Sequence, residues 1–386
     1  MNTLKLLKSL SEAFGPSGFE DEVRQTIRTW IEPLVDELQV DALGNLLATR
    51  KGESKRCVML DAHVDEVGFP VRHVDDQGFI RLAALGGWDD RTLLTHRVTF
   101  STRAGERLAG VFGAKPPHIL EEAERSKALK LEDLFVDLGA ASREEVAARG
   151  LTIGDPETLW YPFEELSPGV ALGKAFDDRA GCAVRIVVLD ALKGRSLPFT
   201  LVCSFSVCEE VGLRGAKTAT FGVKPDLALA LEGTIGGDMP GVSEDKCPTA
   251  LGKGPALSVA DRTIIVNRKL VQALEDLAKG KGISFQYKLP TYGGTDAGAI
   301  HTSRRGVLTG VVSVSCRCPV ATSTHPTASC GWTTSGTPSG WCGSSCSRPR
   351  RCASVLARSF SGSGTRSAPR ARLVNASPGR ASRGAP

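Results

Sequence analysis

Residues 199–215 join an apolar run to two adjacent carboxylates, and this junction constrains the fold more than any other stretch. Residues 199–208 are apolar or small and rich in β-branched and aromatic types, which predicts a strand buried on both faces. Glu209 and Glu210 follow directly, and the glycines after them permit a tight turn. Buried carboxylates carry a severe desolvation penalty unless cations lie beside them, and ligands of open α/β sheets collect at this end of the strands. For an isolated pair, a solvated loop is the alternative.

Two further predicted strands lead into possible metal ligands. Residues 57–62 are typical of a buried strand, and they run into His63 and Asp65. Residues two apart on a strand share a face, so Asp65 can accept the second N–H of the His63 ring and fix its angle. Residues 227–234 predict a third buried strand, with the carboxylate of Glu232 at its end. A lone His near an Asp is more often a structural hydrogen bond, but its place after a strand makes His63 a metal candidate.

Asp177 and Asp178 precede a predicted helix over residues 179–193. An Asp at a helix start commonly serves as cap and dipole partner, and that role suffices for Asp178. Asp177 is then free to bridge two cations. Side chains that can bind a metal thus occur at three predicted strand ends and at one helix start. Four independent coincidences are a weaker explanation, so the pattern favours a metal centre. The helix is predicted to bury Val184, Val187, Val188, Ala191 and Leu192.

The order of predicted elements favours an α/β fold with an inserted second domain. Residues 1–68 and 166–316 hold buried strands and amphipathic helices, which predicts one discontinuous catalytic domain. Residues 69–165 change to short alternating runs separated by Gly and Asp, as in a small β-barrel. Residues 317–386 contain ten Arg and no Lys, Asp or Glu, and this composition predicts a disordered tail.

The net charge of +5 belongs to that tail, because its ten arginines leave −5 for residues 1–316. We therefore infer no nucleic-acid partner from the charge. No apolar run is long enough to span a bilayer, and the first residues lack a secretory pattern, so we expect no membrane partner and a cytoplasmic location. The eleven cysteines form no Cys-x-x-Cys pair and are expected to be buried small hydrophobes.

Six short motifs follow one another along the chain, at residues 15–20, 62–69, 113–118, 176–179, 208–212 and 293–301. Each motif alone is weak, but their combination between about residues 4 and 316 is highly specific. Taken together, they resemble the M42 family of metallo-aminopeptidases, the tetrahedral or glutamyl-aminopeptidase group formerly described as endoglucanases.

The resemblance implies an α/β/α sandwich of the zinc-peptidase (phosphorylase/hydrolase-like) type. It also implies a site for two divalent ions, and zinc or cobalt suits mixed His and carboxylate ligands. Glu209 would be the general base, Asp65 would orient His63, and peptides would be the substrates. The barrel would build homo-oligomers, from dimers to twelve-subunit shells. The implied ligands are His63, Asp177 and Glu232 for one ion, and Asp177, Glu210 and a carboxy-terminal His for the other. Glu232 replaces an Asp that is common in relatives.

The pattern breaks after Arg317. The resemblance implies a Tyr-x-His-Ser/Thr-Pro string that supplies the last His ligand, but the chain has a different sequence there. Back-translation of residues 321–343 in a shifted frame permits Tyr-Ile-His-Thr and a final amphipathic helix, so we hypothesise a frameshift close to residues 317–321. His325 stands at nearly the expected distance, but it lacks the flanking strand and helix that would fix a ligand.

Three alternatives to an active aminopeptidase stay open at this stage. A homologue that keeps the fold and the assembly could have lost turnover with its second metal ligand. A related amidohydrolase or deacylase would use the same metals. A glycosidase would need two carboxyl groups about 5–9.5 Å apart on opposite sides of a sugar, and the His and carboxylate cluster does not require that chemistry.

Overall fold

The computed structural model describes residues 1–122, 126–288, 293–317, 328–333 and 337–338; for residues 317, 328–333 and 337–338 it describes the backbone alone. A large mixed sheet with helices on both faces forms one domain, and a closed barrel forms the other. The predicted α/β class with an inserted barrel is therefore confirmed.

Nine strands make the path of the large sheet, and three short strands pair beside it. In spatial order the path is β1 (Glu37–Val40), β2 (Leu46–Arg50), β12 (Thr200–Ser206), β3 (Cys57–His63), β13 (Leu227–Ile235), β16 (Leu308–Arg317), β17 (Ala328–Thr333), β11 (Val170–Gly173) and β10 (Glu164–Ser167). The flanking strands are β14 (Ala256–Ser258), β15 (Gln286–Lys288) and β18 (Thr337–Pro338). The central strands β12, β3, β13 and β16 are parallel, so their carboxyl ends lie at one edge.

Helices cover both faces of this sheet because its central strands are apolar on both sides. The helices are α1 (Thr3–Glu12), α2 (Asp21–Ile31), α3 (Arg143–Ala148), α4 (Phe176–Leu192), α5 (Arg214–Val223), α6 (Arg268–Lys281) and α7 (Ala297–His301). On β13, Leu229 and Leu231 belong to the apolar cluster that includes residues of α1, α2 and α4, whereas Ala228 packs with residues of α5 and α7. Short 3-10 turns span Glu32–Leu34, Asp90–Thr92, Pro117–Ile119, Leu131–Asp133 and Glu244–Lys246.

The six strands of the barrel all lie within residues 69–159 and close on each other. In order around the barrel they are β4 (Phe69–Val74), β5 (Ile80–Leu82), β8 (Phe135–Asp137), β7 (Arg107–Gly113), β6 (Arg97–Ser101) and β9 (Pro156–Leu159). Its core is apolar and includes Phe69, Phe100 and Leu159. Glu157 on β9 pairs in register with both Phe69 and Phe100, which places a carboxyl group among these aromatic neighbours.

Two predicted details are corrected. Glu232 does not end its strand, because β13 continues beside β16 to Ile235. On α4, Val187 and Leu192 are buried as predicted, but Val184, Val188 and Ala191 are only half-buried. Arg185 is fully buried instead, and it donates hydrogen bonds to backbone carbonyls at the strand ends, including that of Ala62 at 2.8 Å.

The tail predicted to be disordered begins at residue 317. Within it, β17 pairs antiparallel with β11 and with the end of β16, and β18 pairs with β17, which differs from the expectation for those residues. The rest of residues 317–386, including His325, lies outside the described residues.

Candidate metal centre

The ligand candidates meet at the carboxyl edge of the central strands. His63 ends β3, and its register partner on β12 is Ser206, after which the chain continues to Glu209 and Glu210. On the other side, β13 pairs with β3 only as far as Ala230, opposite Asp61. Two residues further along β13, Glu232 therefore stands beside His63.

His63 lies at the centre of this group and is 1% exposed. Its Nε2 lies 3.2 Å from Asp177 Oδ1 and 3.5 Å from Glu232 Oε1. Its Nδ1 lies 3.1 Å from the backbone carbonyl oxygen of Asp65, which can only accept a hydrogen bond. The proton of the neutral ring is therefore on Nδ1, and the Nε2 lone pair faces the carboxylates, as a metal ligand requires.

Two sets of groups have the spacing to hold a cation. A ligand atom from each of His63, Asp178 and Glu232 lies within 4.8 Å of the others, and the same is true of His63, Glu209 and Glu210. With Asp177 at 3.2 Å from the same ring, the structure gathers His63, Asp177, Glu209, Glu210 and Glu232 in one place.

Asp65 connects His63 to the loop that carries the two glutamates. Its Oδ1 accepts a hydrogen bond from the Glu209 backbone N–H at 2.9 Å, and its Oδ2 accepts one from the Glu210 N–H at 3.1 Å. Ser17 donates a third at 2.7 Å. Burial opposes ionisation of Asp65, but the His63 contact and these donors outweigh it and lower its pKa. Asp65 thus fixes both the ring and the glutamate loop.

Asp178 differs from the cap-only role predicted for it. Its Oδ1 does accept the Gly181 N–H at 2.9 Å, as a helix cap would. Its Oδ2 is buried, however, and has no hydrogen-bond partner among the described residues. Asp177 and Asp178 both have non-helical backbone angles, so the two carboxylates turn towards the cluster before the regular helix begins. The sequence missed this because an Asp at a helix start has a sufficient local explanation.

The cluster concentrates several carboxyl groups in a buried site, and their pKa values shift accordingly. Burial, and then the charges of neighbours including Asp177 and Glu210, raise the pKa values of Glu210 and Glu209 well above the usual range. Burial raises the pKa of Glu232 to about 7, against the opposing effect of His63. Burial lowers the pKa of His63, but its contacts with Asp177, Asp65 and Glu232 outweigh this and raise it well above 6.5. Such mutual shifts mark a functional cluster.

A second buried network, which sequence reasoning missed, surrounds Glu66, the residue that follows Asp65 in the chain. Glu66 accepts two hydrogen bonds from Lys174 Nζ, at 2.6 and 2.7 Å, and one from the Thr158 hydroxyl at 3.0 Å. Arg179 also lies 3.4 Å from Glu66 and donates to the Val64 carbonyl at 2.6 Å. The only sequence signal was the proximity of these residues to the Asp65 and Asp177 motifs.

The centre opens into a cleft of about 640 Å³. Asp177, Glu209, Glu210 and Glu232 line it, and the barrel contributes Trp88. Trp88 stacks on Phe69 with ring centroids 4.4 Å apart, and its indole N–H donates to the Gly68 carbonyl at 3.3 Å. A cleft of this size accommodates a small organic ligand.

An imidazole and several buried carboxylates at the carboxyl edge of a doubly covered sheet define a metallohydrolase centre of the α/β class. The comparisons with known proteins identify which class this is. Residues 44–325 match the family model described as M42 glutamyl aminopeptidase. The chain therefore belongs to the M42 family and is a metal-dependent aminopeptidase, a hydrolase. This assignment argues against the glycosidase alternative, although some similar solved structures carry the name endoglucanase.

Relatives of known sequence and structure agree with this assignment. The putative aminopeptidase FrvX of Escherichia coli (strain K12) is 40% identical over 295 residues, covering 76% of this chain and 82% of its own. The TET aminopeptidase from the marine sediment archaeon Thaumarchaeota archaeon SCGC AB-539-E09 is 40% identical with a TM-score of 0.80, covering 85% and 91%. The TET1 peptidase of Pyrococcus horikoshii, which can assemble into a tetrahedron or a large octahedral shell, is 31% identical with a TM-score of 0.75, covering 85% and 94%.

Each helix within the described residues is too short or too polar to cross a membrane. The cytoplasmic location stays a prediction.

Proposed function

We propose that this chain removes the first residue of peptides at the His63 cluster, with Glu209 as the general base. The observation that carries the proposal is the gathering of His63, Asp177, Glu210 and Glu232 around one cleft with Glu209 beside them. A base in such a cluster must accept a proton near neutral pH, and the raised pKa of Glu209 suits it to that task.

The residues fit divalent ions. Glu232 Oε2 and Asp178 Oδ2 are buried without hydrogen-bond partners among the described residues, and each could complete a coordination sphere. We propose two ions, zinc or cobalt, held by His63, Asp177, Glu210 and Glu232. Bound ions would polarise the peptide carbonyl and acidify water. Glu232, where the resemblance implies an Asp, places its Oε1 3.5 Å from His63 Nε2.

The roles of the protein groups follow from their contacts. Glu209 would take a proton from the attacking water and return it to the leaving amine. Asp65 would keep the His63 proton on Nδ1 and hold the Glu209 backbone in place through its 2.9 Å hydrogen bond. The negative charge that the lining carboxylates concentrate in the cleft would attract the free amino terminus of a peptide, which would favour cleavage at the chain end.

Substitution of Glu209 tests this function. We expect Glu209→Gln to lower kcat for leucine p-nitroanilide by about 10²–10⁴-fold, because the amide cannot accept the proton. Bound zinc, measured by mass spectrometry, should stay unchanged. Glu164→Gln, on the exposed strand β10, is the matched control. Full activity in the Glu209 variant would exclude it as the base.

The carboxy-terminal His ligand expected after Arg317 is missing from its motif, and this suggests a second candidate function. In this interpretation the chain is a catalytically impaired homologue. The family match stops at residue 325, and residues 317–386 carry no acid or lysine. We propose that a frameshift near residues 317–321 replaced the last ligand and the final helix. Resequencing the gene decides this, since an intact frame would refute it. Zinc content and turnover, with and without a restored tail, separate the impaired enzyme from the active one.

We also propose that the chain forms a homo-oligomer through its barrel. The barrel exposes apolar side chains, including Ile119, Ile153 and Trp160, which an interface would cover. The assembled shells of the Pyrococcus horikoshii relative support this. Light scattering on the full chain measures the assembly, and a monomer at high concentration would refute it.

A further inference from the structure

The loop that carries Glu209 and Glu210 begins where β12 stops pairing with its neighbouring strands. In the described structure, this pairing ends at Ser206, opposite His63. A backbone N–H group that is taken out of water beyond this point needs another acceptor. Side chains from other parts of the chain accept hydrogen bonds from four consecutive N–H groups here. The donors are Val207, Cys208, Glu209 and Glu210, and the acceptors are Asn45, Glu20 and Asp65, at 2.9–3.1 Å.

Glu20 supplies the acceptor at the least favourable backbone position of this loop. Cys208 has a left-handed backbone (φ +55°), which residues with a side chain rarely adopt unless their surroundings impose it. Glu20 Oε1 accepts the Cys208 N–H at 3.1 Å and lies 3.4 Å from the Cys208 Sγ. Burial, and then the charge of Glu20, raise the pKa of this thiol to about 12, so it stays protonated and donates to the carboxylate.

The side chain of Glu20 has no role as a helix cap. Glu20 stands at the N-cap position of α2, but its side chain makes no capping hydrogen bond with that helix. It is 5% exposed, and the Oε1 that meets Cys208 also accepts the Gly18 N–H at 2.8 Å. Burial, followed by the charge of Asp65, raises the pKa of Glu20, so a charge is unfavourable there. The contact with Cys208 therefore depends on the acceptor oxygen more than on its charge.

We propose that Glu20 is a positioning residue for the general base: its acceptor oxygen holds Cys208 in the left-handed conformation that directs Glu209 towards the metal centre. This inference rests on the proposed function of Glu209. Cys208 directly precedes Glu209, so a change in its backbone angles reorients the base, whereas the Glu209 and Glu210 N–H groups keep their bonds to Asp65. Loss of the Glu20 acceptor should therefore displace the Glu209 carboxylate without emptying the metal centre.

The test compares two substitutions of Glu20 in the full chain, with zinc at a saturating concentration. Glu20→Met removes the acceptor, and we expect kcat for leucine p-nitroanilide to fall about 10- to 100-fold at an unchanged KM. Glu20→Gln keeps an acceptor oxygen and should restore kcat to within about threefold of the unsubstituted chain. An equal loss in both variants, no loss in Glu20→Met, or a loss that lies wholly in KM would overturn the proposal.

A control variant separates positioning from a general loss of stability. Thr102 is 5% exposed in the barrel, and its hydroxyl oxygen accepts the Glu106 N–H at 3.1 Å. Thr102→Val removes this acceptor of a backbone N–H and should leave kcat unchanged. A fall in kcat as large as that of Glu20→Met would overturn the proposal, since any destabilising change would then suffice.

Hydrogen exchange keeps the inference separate from turnover. If the unsubstituted chain hydrolyses no anilide or peptide, the proposed function of this chain fails, and exchange measured by mass spectrometry then decides whether Glu20 holds the loop. We expect the amides of residues 207–213 to exchange about tenfold faster in Glu20→Met than in Glu20→Gln, with rates elsewhere unchanged. Equal rates in the two variants, or a rise spread over the whole chain, would overturn the inference.

Discussion

Two buried carboxyl groups at the junction of the domains, Glu66 and Glu157, differ in their polar partners. Glu66, in the sheet domain, is bound by Lys174 at 2.6 Å, faces Arg179 at 3.4 Å and accepts the Thr158 hydroxyl. Glu157, next to Thr158 in the barrel, has no hydrogen-bond partner for either oxygen among the described residues. Burial, and secondarily the charge of Glu66, raises the pKa of Glu157 well above 4.5.

The difference shows where this protein uses buried charge. In the sheet domain, Glu66 is paired with Lys174 and Arg179, and Arg179 also donates to the carbonyl of Val64, which lies between His63 and Asp65. In the barrel, a carboxyl group among aromatic side chains relieves its desolvation by retaining a proton. The buried carboxyl group near the metal centre is therefore paired with cations, whereas the one in the barrel avoids carrying a charge.

The largest expected effect comes from removing the partner of Glu66. Lys174→Met leaves Glu66 buried with Arg179 as its one remaining cationic neighbour within 4 Å in the described chain. We expect the free energy of unfolding to fall by about 3–5 kcal/mol, measured by urea titration. Lys5→Met, at an exposed position on α1, is the control. If Glu66→Gln combined with Lys174→Met loses as much as the single variant, an uncompensated charge is not the cause.

A smaller effect is expected at Asp65, which is partnered by donors rather than by a lysine. Asp65→Asn weakens the hold on the His63 ring and on the Glu209 and Glu210 backbone. We expect zinc affinity to fall about 10- to 100-fold, measured by equilibrium dialysis. Asp76→Asn, in an exposed turn of the barrel, should bind zinc normally. An unchanged zinc affinity in Asp65→Asn would contradict the proposal that Asp65 positions the metal ligands.

The smallest effect is expected at Glu157, and it depends on pH. Because the folded pKa lies above the unfolded 4.5, the folded chain keeps a proton that the unfolded chain releases. Its contribution to stability is present below pH 4.5 and is lost as pH rises towards the folded pKa. We expect Glu157→Gln to be more stable than the unsubstituted chain at pH 8 by about 1 kcal/mol, with a smaller gain at pH 5. Parallel urea titrations at the two pH values measure this, and an equal change at both would contradict it.

Much of this molecule could be predicted from local sequence. Buried strands ending in His63, or leading into Glu209 and Glu210, have a periodicity and composition that need no partner to be recognised. Arg185 could not be predicted to be buried, because its partners are carbonyls on β3 and β12, and that of Ala62 is 123 residues away in sequence. The same holds for Lys174, whose partner Glu66 is 108 residues away.

The metal candidates also show the limit of local reasoning. Glu232 was predicted to end a strand because it is a carboxylate that follows an apolar run, whereas pairing with β16 continues the strand past it to Ile235. Asp178 had a local explanation as a cap, and only the tertiary fold brings its carboxylate close to His63 and Glu232.

The path of the chain between the domains has a mechanical consequence. The chain leaves the sheet at His63 and enters the barrel at Phe69; it returns from β9 to the sheet strands β10 and β11, and β11 ends at Gly173, shortly before Asp177. Lys174, which follows β11, binds Glu66, which lies between His63 and the barrel, so an ion pair joins the two segments that carry His63 and Asp177. We therefore expect a displacement of the barrel relative to the sheet to change the spacing of His63 and Asp177.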